Sequence, residues 1–208
     1  MFLIRILNII FLIALAFQIP VAFADEAYVI DGILDDEKVL KIESEISTLP
    51  NIKTIEFRNC YGMKSKNINQ LDRLVNLFDG MKLNTAVKGV CARECALLFM
   101  LGNNKTLLKP DPGKVTVVVL HSLLSDDNEF LVNESKRIFG LIEKHSAGKI
   151  PASFFDRLFE VGDDIGGIAI YRESSSSDTN AFFSTGRKSK PVPVPGFVLD
   201  KLDIKKEQ

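Results

Sequence analysis

The sequence of 208 residues lacks several features that mark common functional classes. Its only two histidines, His121 and His145, have no ligand spacing, and its three cysteines form no Cys-x-x-Cys pair. We therefore expect no metal and no cofactor. The net charge is −1, which gives no electrostatic sign of a nucleic-acid partner. No internal repeat is visible, so a repeat architecture is not expected.

The chain also lacks an apolar run of the ~20 residues that span a bilayer, although it begins with a shorter one. Arg5 precedes an apolar segment at residues 6–17, and Ala22-Phe23-Ala24 is a small-x-small site before Asp25. These features predict a signal peptide over 1–24 that is cleaved after Ala24, with an uncleaved anchor as the alternative. Cleavage removes Arg5, changes the net charge from −1 to −2, and leaves a periplasmic or secreted protein without a membrane segment.

The remaining chain alternates between strand and helix patterns. Apolar stretches at 27–33, 53–60 and 84–90 predict strands, and amphipathic stretches at 35–49 and 67–81 predict helices. This order favours an α/β fold with a mostly parallel sheet and crossover helices. A strand at 114–120, a helix at 126–145 and strands at 168–171 and 181–184 follow. We expect an α/β domain over 25–172, and in 173–208 a flexible loop, a short strand and a Pro-rich tail.

The third strand leads into Cys91-Ala92-Arg93-Glu94-Cys95, where the pattern predicts a sharp turn into a buried helix that ends near Gly102. Such a turn would stand at the carboxyl edge of the parallel sheet, where open α/β sheets bind their ligands. This elbow is the expected site of any chemistry.

Four stretches resemble the Clp-protease/crotonase superfamily, in particular its secreted bacterial Clp-type serine peptidases. They are Gly32-Ile33-Leu34, residues 55–62, the elbow from Cys91 to Gly102, and the strand that ends in His121. The elbow matches the family pattern Cys-x-Ser-x-Cys-Ala-x-x-Phe-x-x-Gly at every position except the Ser. The resemblance implies a Clp/crotonase-like ββα superhelix and assembly into trimers or hexamers.

The resemblance also assigns the working parts of a serine peptidase, and two of them are changed. The nucleophile position is Arg93, which cannot act as a nucleophile. The Gly-Gly oxyanion position reads Tyr61-Gly62, and only His121 is retained, as a degenerate base. Arg93, Gly62 and Tyr61 are therefore predicted as binding positions. Arg93 either binds a carboxylate or other anion, or pairs on the surface with Glu94, Asp126 or Asp127.

Export favours one disulfide among Cys60, Cys91 and Cys95. The three pairings stay open on sequence alone. A Cys91–Cys95 bridge, placed across the turn, is favoured over a Cys60–Cys91 bridge. The favoured pairing leaves Cys60 buried and reduced. A cysteine nucleophile activated by His121 is the alternative use of these thiols.

The sequence thus predicts an exported, non-catalytic Clp/crotonase-like protein, a pseudoenzyme that binds a peptide or a partner protein in the former active-site cleft. One alternative is a periplasmic hydrolase, a peptidase that uses His121 with a cysteine or with a displaced serine such as Ser122 or Ser184. Another alternative is a structural envelope protein with no ligand.

Overall fold

The structure is a computed structural model that describes residues 26–49, 51–65 and 67–208. The predicted signal peptide, residues 1–24, lies outside the described residues. No helix within the described ranges has the length and apolar character needed to cross a bilayer.

Nine strands and five α-helices make up the described chain. The strands are β1 (Glu26–Asp31), β2 (Ile52–Cys60), β3 (Asn84–Ala92), β4 (Lys105–Leu107), β5 (Val117–Leu120), β6 (Gly167–Tyr171), β7 (Ala181–Ser184), β8 (Val192–Pro193) and β9 (Ile204–Lys206). The α-helices are α1 (Asp36–Thr48), α2 (Ile68–Met81), α3 (Glu94–Met100), α4 (Val132–His145) and α5 (Ala152–Asp156), and 3-10 helices cover Arg157–Glu160 and Leu199–Leu202.

All nine strands belong to one mixed sheet. Its main path runs β1-β2-β3-β5-β6-β7-β8, while β4 branches from β3 and carries β9. The pairs among β1, β2, β3 and β5 are parallel, as are those of β4, whereas β6, β7 and β8 pair antiparallel. The predicted α/β class with a mostly parallel sheet and crossover helices is confirmed.

The helices form because their apolar residues recur on one face, which packs on the sheet. Asp35 caps α1 by accepting from the backbone N–H of Lys38 at 2.8 Å. Helix α2 buries Phe78, whose ring stacks on Phe57 of β2 with centroids 6.1 Å apart. Helices α1 to α4 contact one another in chain order, and α3 packs on β2, β3 and β5.

Strand β3 divides at its middle, and this division positions the site. Its first half pairs with β4, and its second half, Val90 to Ala92, pairs with β5. The hydroxyl of Thr116 fills the fork, since it donates to the Leu108 carbonyl at 2.9 Å and accepts from the Gly89 N–H at 3.4 Å. Thr116 therefore holds the start of β5 at the middle of β3, and the pairing of Ala92 with Val119 brings the ends of the two strands side by side.

The C-terminal segment, 173–208, differs from the loose tail that the sequence suggested. It supplies β7, β8 and β9 to the same sheet and buries Val194, Leu202 and Ile204. The buried Thr179 hydroxyl donates to the Val194 carbonyl at 2.6 Å and so fixes the Pro-rich stretch. The helix expected over 126–145 also begins later, at Val132, because 125–130 form a turn.

Candidate functional site

The predicted elbow is present between β3 and α3. Arg93 alone separates the strand from the helix, with φ 56° and ψ −126°. For a residue with a Cβ this backbone conformation is strained, at a cost of roughly 1–3 kcal/mol. The Arg93 N–H donates to the Val119 carbonyl at 3.0 Å, and its carbonyl accepts from Leu97 N at 3.1 Å. The surrounding strand and helix therefore hold the strained turn in place.

The helix after the elbow is locked into the core, which explains why the turn is so sharp. Residues Cys95 to Met100 of α3 are all buried. The Thr85 hydroxyl of β3 donates to the Phe99 carbonyl at 2.7 Å, and a Cβ at Gly102 would collide with the Thr85 side chain. The glycine predicted as the end of this helix is thus required by a close approach to the sheet.

The loop after β2 lies directly against the elbow. Gly62 has φ +95°, and a Cβ there would collide with the Glu94 carboxylate and lie 3.0 Å from the Arg93 Cβ. The next N–H, of Met63, donates to Glu94 Oε2 at 2.9 Å. A backbone amide beside the nucleophile position is therefore already occupied by a carboxylate of the same chain.

Tyr61 is not part of this cluster. Its side chain is 50% exposed and lines a separate cleft of about 560 Å³ with Arg58, Lys88 and Val115. Of the three predicted binding positions, Gly62 and Arg93 therefore lie together at the elbow, whereas Tyr61 lines a different cleft.

His121 stands at the end of β5 and is 4% exposed. Its Nδ1 lies 2.6 Å from the Ser122 carbonyl oxygen and its Nε2 lies 3.1 Å from the Asp163 carbonyl oxygen. Both ring nitrogens thus face acceptors, and a neutral imidazole can donate to only one of them. The ring is engaged with backbone oxygens rather than with a hydroxyl or a thiol.

His121, Arg93 and Met63 nevertheless meet around one small cavity, which Glu94, Ser122 and Leu123 also line. Its volume is about 20 Å³. That is little more than the roughly 10–15 Å³ needed for a single water. His121 and Arg93, which the resemblance singled out, thus lie close together, but the protein's own side chains fill the space between them.

A larger opening adjoins this cavity. The His121 cleft, as we name it, has a volume of about 480 Å³ and is lined by His121, Leu124, Asn128, Phe130, Val161 and residues 162–164. A second opening of about 580 Å³, the Arg187 cleft, is lined by residues 162–164 and 185–189. Both volumes lie within the range of roughly 300–1,000 Å³ that ligand pockets occupy.

Arg93 spans from the elbow to the rim that these two clefts share. Its Nη2 donates to Asp164 Oδ2 at 2.8 Å and to the Asp164 carbonyl at 3.1 Å. The side chains of Arg93 and Asp164 are 35% and 56% exposed. The sequence-based partners Glu94, Asp126 and Asp127 are corrected to Asp164, which the fold brings to the elbow from 71 residues away.

Asp163, one residue before, is a structural carboxylate. It accepts backbone N–H bonds from Arg187 at 2.8 Å, Ile165 at 2.9 Å and Gly166 at 3.0 Å. These bonds hold the pKa of Asp163 below its usual value, and the bond from the Arg187 N–H contributes most. Only its carbonyl oxygen contacts His121, so its carboxylate is not placed as a triad acid.

The disulfide joins Cys60 to Cys95, which corrects the predicted Cys91–Cys95 pair. Cys60 and Cys91 do lie side by side at the ends of β2 and β3. The elbow, however, turns α3 back over the sheet and carries Cys95 to Cys60, with their Cα atoms 6.0 Å apart. Cys91, not Cys60, is the free thiol, and its complete burial raises its pKa.

The alternative nucleophiles are engaged elsewhere or inaccessible. The Ser122 hydroxyl donates to the Leu158 carbonyl at 3.1 Å, and the Ser184 hydroxyl bonds Gly186 and Ser189. Cys95 is in the disulfide, and burial keeps Cys91 in its unreactive thiol form. Within the described ranges, no group of three or more metal-ligating side chains is close enough to hold a metal ion.

Sequence reasoning missed Glu94 and Asp164, the two carboxylates that fill the site. Glu94 lies in the elbow itself, where the sequence predicts it only as a partner of Arg93. Asp164 gave no signal beyond an acidic turn, because its proximity to the elbow depends on the antiparallel pairing of β5 with β6.

No protein family model matches the chain, and no curated protein matches it. Among solved structures, it is similar to the catalytic domain of the ClpP protease from Plasmodium falciparum, with a TM-score of 0.47 and 13% identity. The alignment covers 63% of this chain and 71% of that domain. The α/β class of this chain follows from its own strand order and pairing.

Proposed function

We propose that this is an exported, non-catalytic Clp/crotonase-like protein that binds a peptide or a segment of a partner protein in the His121 cleft. The observation that carries the proposal is the Glu94 carboxylate on the Met63 N–H. Catalysis of acyl transfer needs such an amide free to stabilise a developing oxyanion. Here the Glu94 carboxylate takes that place, and the Arg93 side chain stands where the resemblance puts the nucleophile.

The adjoining cleft supports binding in place of catalysis. Leu124, Phe130 and Val161 give it an apolar lining, and Asn128 and Asp164 add polar groups. A cleft with an apolar floor and few polar groups is the usual form of a binding site. Its volume suits a few peptide side chains, so a peptide segment is the favoured ligand.

The hydrolase alternative loses support because each candidate nucleophile is buried, bridged or bonded away from His121. The structural alternative predicts no ligand at all, and a binding experiment separates it from our proposal.

The test is the affinity of the purified protein for pooled random decapeptides, measured by affinity selection with mass spectrometry. We expect a recurring set of retained peptides whose affinity falls at least tenfold in Phe130→Ala. The matched control is Leu40→Ala, which removes a 45% exposed leucine from α1, far from the cleft lining. No retained peptide, or an equal loss in both variants, would reject the proposal.

A further inference from the structure

We infer that Arg93 is the ligand's anchor and that the ligand carries a carboxylate, which takes the place of Asp164 on the guanidinium. This inference rests on the proposed function and names the ligand class of the same cleft. It joins three observations: a strained residue without a catalytic role, an incompletely used guanidinium, and a displaceable internal carboxylate.

The first observation is the elbow strain. A strand can enter a helix through a relaxed turn, yet Arg93 keeps φ 56° and ψ −126°. In a serine enzyme that conformation exposes the hydroxyl at the edge of the sheet. Here its effect is to aim a long cationic side chain out of a buried elbow toward the cleft rim. Strained residues occur where a side chain must be presented, so the strain points to a role for the Arg93 side chain itself.

The second observation is the unused part of the guanidinium. Only Nη2 of Arg93 has acceptors, both of them on Asp164. Among the described residues, no acceptor lies within hydrogen-bond distance of Nε or Nη1. A planar guanidinium binds a carboxylate through two parallel N–H bonds, and Asp164 engages one nitrogen only. An incoming carboxylate can therefore form a better pair than Asp164 does.

The third observation is the contrast between the two neighbouring aspartates. Three backbone amides fix Asp163, whereas the Asp164 side chain is 56% exposed and bonds Arg93 alone among the described residues. An exposed single-contact ion pair is weak. The Asp164 carboxylate thus occupies the position of a ligand carboxylate on Arg93. An incoming ligand displaces it, and the Asp164 side chain rotates out toward solvent.

The charges around the rim agree with an acidic ligand. Arg187 and Lys188 are exposed and line the Arg187 cleft next to Asp164. Asp163 keeps its negative charge, but Arg93, Arg187 and Lys188 outnumber the two aspartates at the rim by three charges to two. The rim is therefore net positive, and it offers free cations once Asp164 turns away. The ligand class is therefore a peptide with a free C-terminal carboxylate or an Asp or Glu side chain, next to an apolar residue that enters the His121 cleft.

The experiment uses two decapeptide pools of identical random composition, one with a free C-terminal carboxylate and one with a C-terminal amide. Each pool is offered to the wild-type protein and to Arg93→Gln, Arg93→Lys and Asp164→Asn. Arg73→Gln is the matched control, because Arg73 forms a similar exposed pair with Glu43 at 2.5 Å but lines neither cleft. Thermal unfolding confirms that each variant is folded.

We expect the retained peptides to be enriched in carboxylates, and the two pools distinguish a C-terminal from a side-chain source. Their affinity should fall at least tenfold in Arg93→Gln, recover in part in Arg93→Lys, rise severalfold in Asp164→Asn and stay unchanged in Arg73→Gln. Retained peptides without carboxylate preference, bound equally by Arg93→Gln, would overturn the inference and leave the proposed function standing. If no peptide is retained by any variant, both fall.

Discussion

At the scale of single residues, Arg93 and Glu94 decide what the elbow can do. Arg93 offers no nucleophile, and Glu94 places a carboxylate on the Met63 amide, 2.9 Å from its nitrogen. Either change alone would impair acyl transfer, because that reaction needs both a nucleophile and free amide donors.

This arrangement predicts how reactive the variant Arg93→Ser is. Arg93→Ser alone should react with a fluorophosphonate no faster than wild type, because Glu94 still fills the Met63 amide. The double variant Arg93→Ser/Glu94→Ala frees that donor and should react about 10²-fold faster, the worth of one oxyanion donor. Labelling is followed by intact mass, with Arg93→Ser/Glu134→Ala as the control. Equal labelling of Arg93→Ser and the double variant would contradict the role given to Glu94.

At the scale of elements, the site depends on how the loop after β2 meets the turn before α3. Two features hold them together. One is the close approach of Gly62 to the elbow, and the other is the disulfide between Cys60, where the loop begins, and Cys95, in the first turn of α3. Neither feature belongs to one element alone.

Gly62→Ala should therefore destabilise the protein. The substitution places a Cβ on a backbone with φ +95° and against Glu94, and the positive φ alone costs about 1–2 kcal/mol. The matched control is Gly140→Ala inside α4, where a Cβ meets nothing within 4 Å. That change should stabilise the protein by about 0.5–1 kcal/mol, since alanine favours helix. Urea unfolding measures both, and a neutral Gly62→Ala would refute the contact.

The disulfide gives a second element-scale prediction. Thiol titration of the denatured, unreduced protein should find one free thiol, that of Cys91. The double variant Cys60→Ala/Cys95→Ala should lose roughly 4 kcal/mol of unfolding free energy by the loop-entropy relation, since the bridge spans a separation of 35 residues. The control Cys91→Ala should keep the bridge in peptide mapping. Three free thiols, or a bridge that includes Cys91, would contradict the structure.

At the scale of the whole molecule, the C-terminal segment closes the fold through one buried cation. Lys105 is wholly buried, and its Nζ donates to Asp203 Oδ2 and to the Gly102 carbonyl, both at 3.0 Å. Burial lowers the pKa of Lys105. Burial acts to raise the pKa of Asp203, but hydrogen bonds from Lys149 and Lys105 hold it below its usual value.

Asp203→Ala should consequently destabilise the whole domain. The change leaves the Lys105 ammonium buried without its anion, which costs about 3–5 kcal/mol. The double variant Lys105→Met/Asp203→Ala should recover most of this loss, because the buried site accepts an uncharged, apolar side chain. Urea unfolding of both variants tests the coupling, and a double variant as unstable as Asp203→Ala would show that packing, not charge, is responsible.

The fold was predictable from the sequence to the extent that its signals are local. Strand β3, the elbow and α3 follow from an apolar run, a turn and a buried helix, and β5 with His121 directly after it follows likewise. The disulfide pairing was not predictable, because it depends on the direction in which α3 leaves the turn.

The rest of the site lies beyond local signals. Asp164 reaches Arg93 only through the antiparallel return of β6 alongside β5. The Pro-rich stretch suggested a loose tail by composition, although Val192–Pro193 pairs at the sheet edge, where a residue without an N–H is tolerated. Long-range pairing decided both outcomes.

The most direct test of the central claim is one mass-spectrometric measurement on the wild-type protein. Pooled decapeptides are incubated with it for hours, and both the bound and the unbound fractions are sequenced. A protein that binds without catalysis should retain a set of intact peptides and produce no new termini. Fragments that accumulate with time, and that disappear in His121→Ala, would show a working hydrolase and contradict the account.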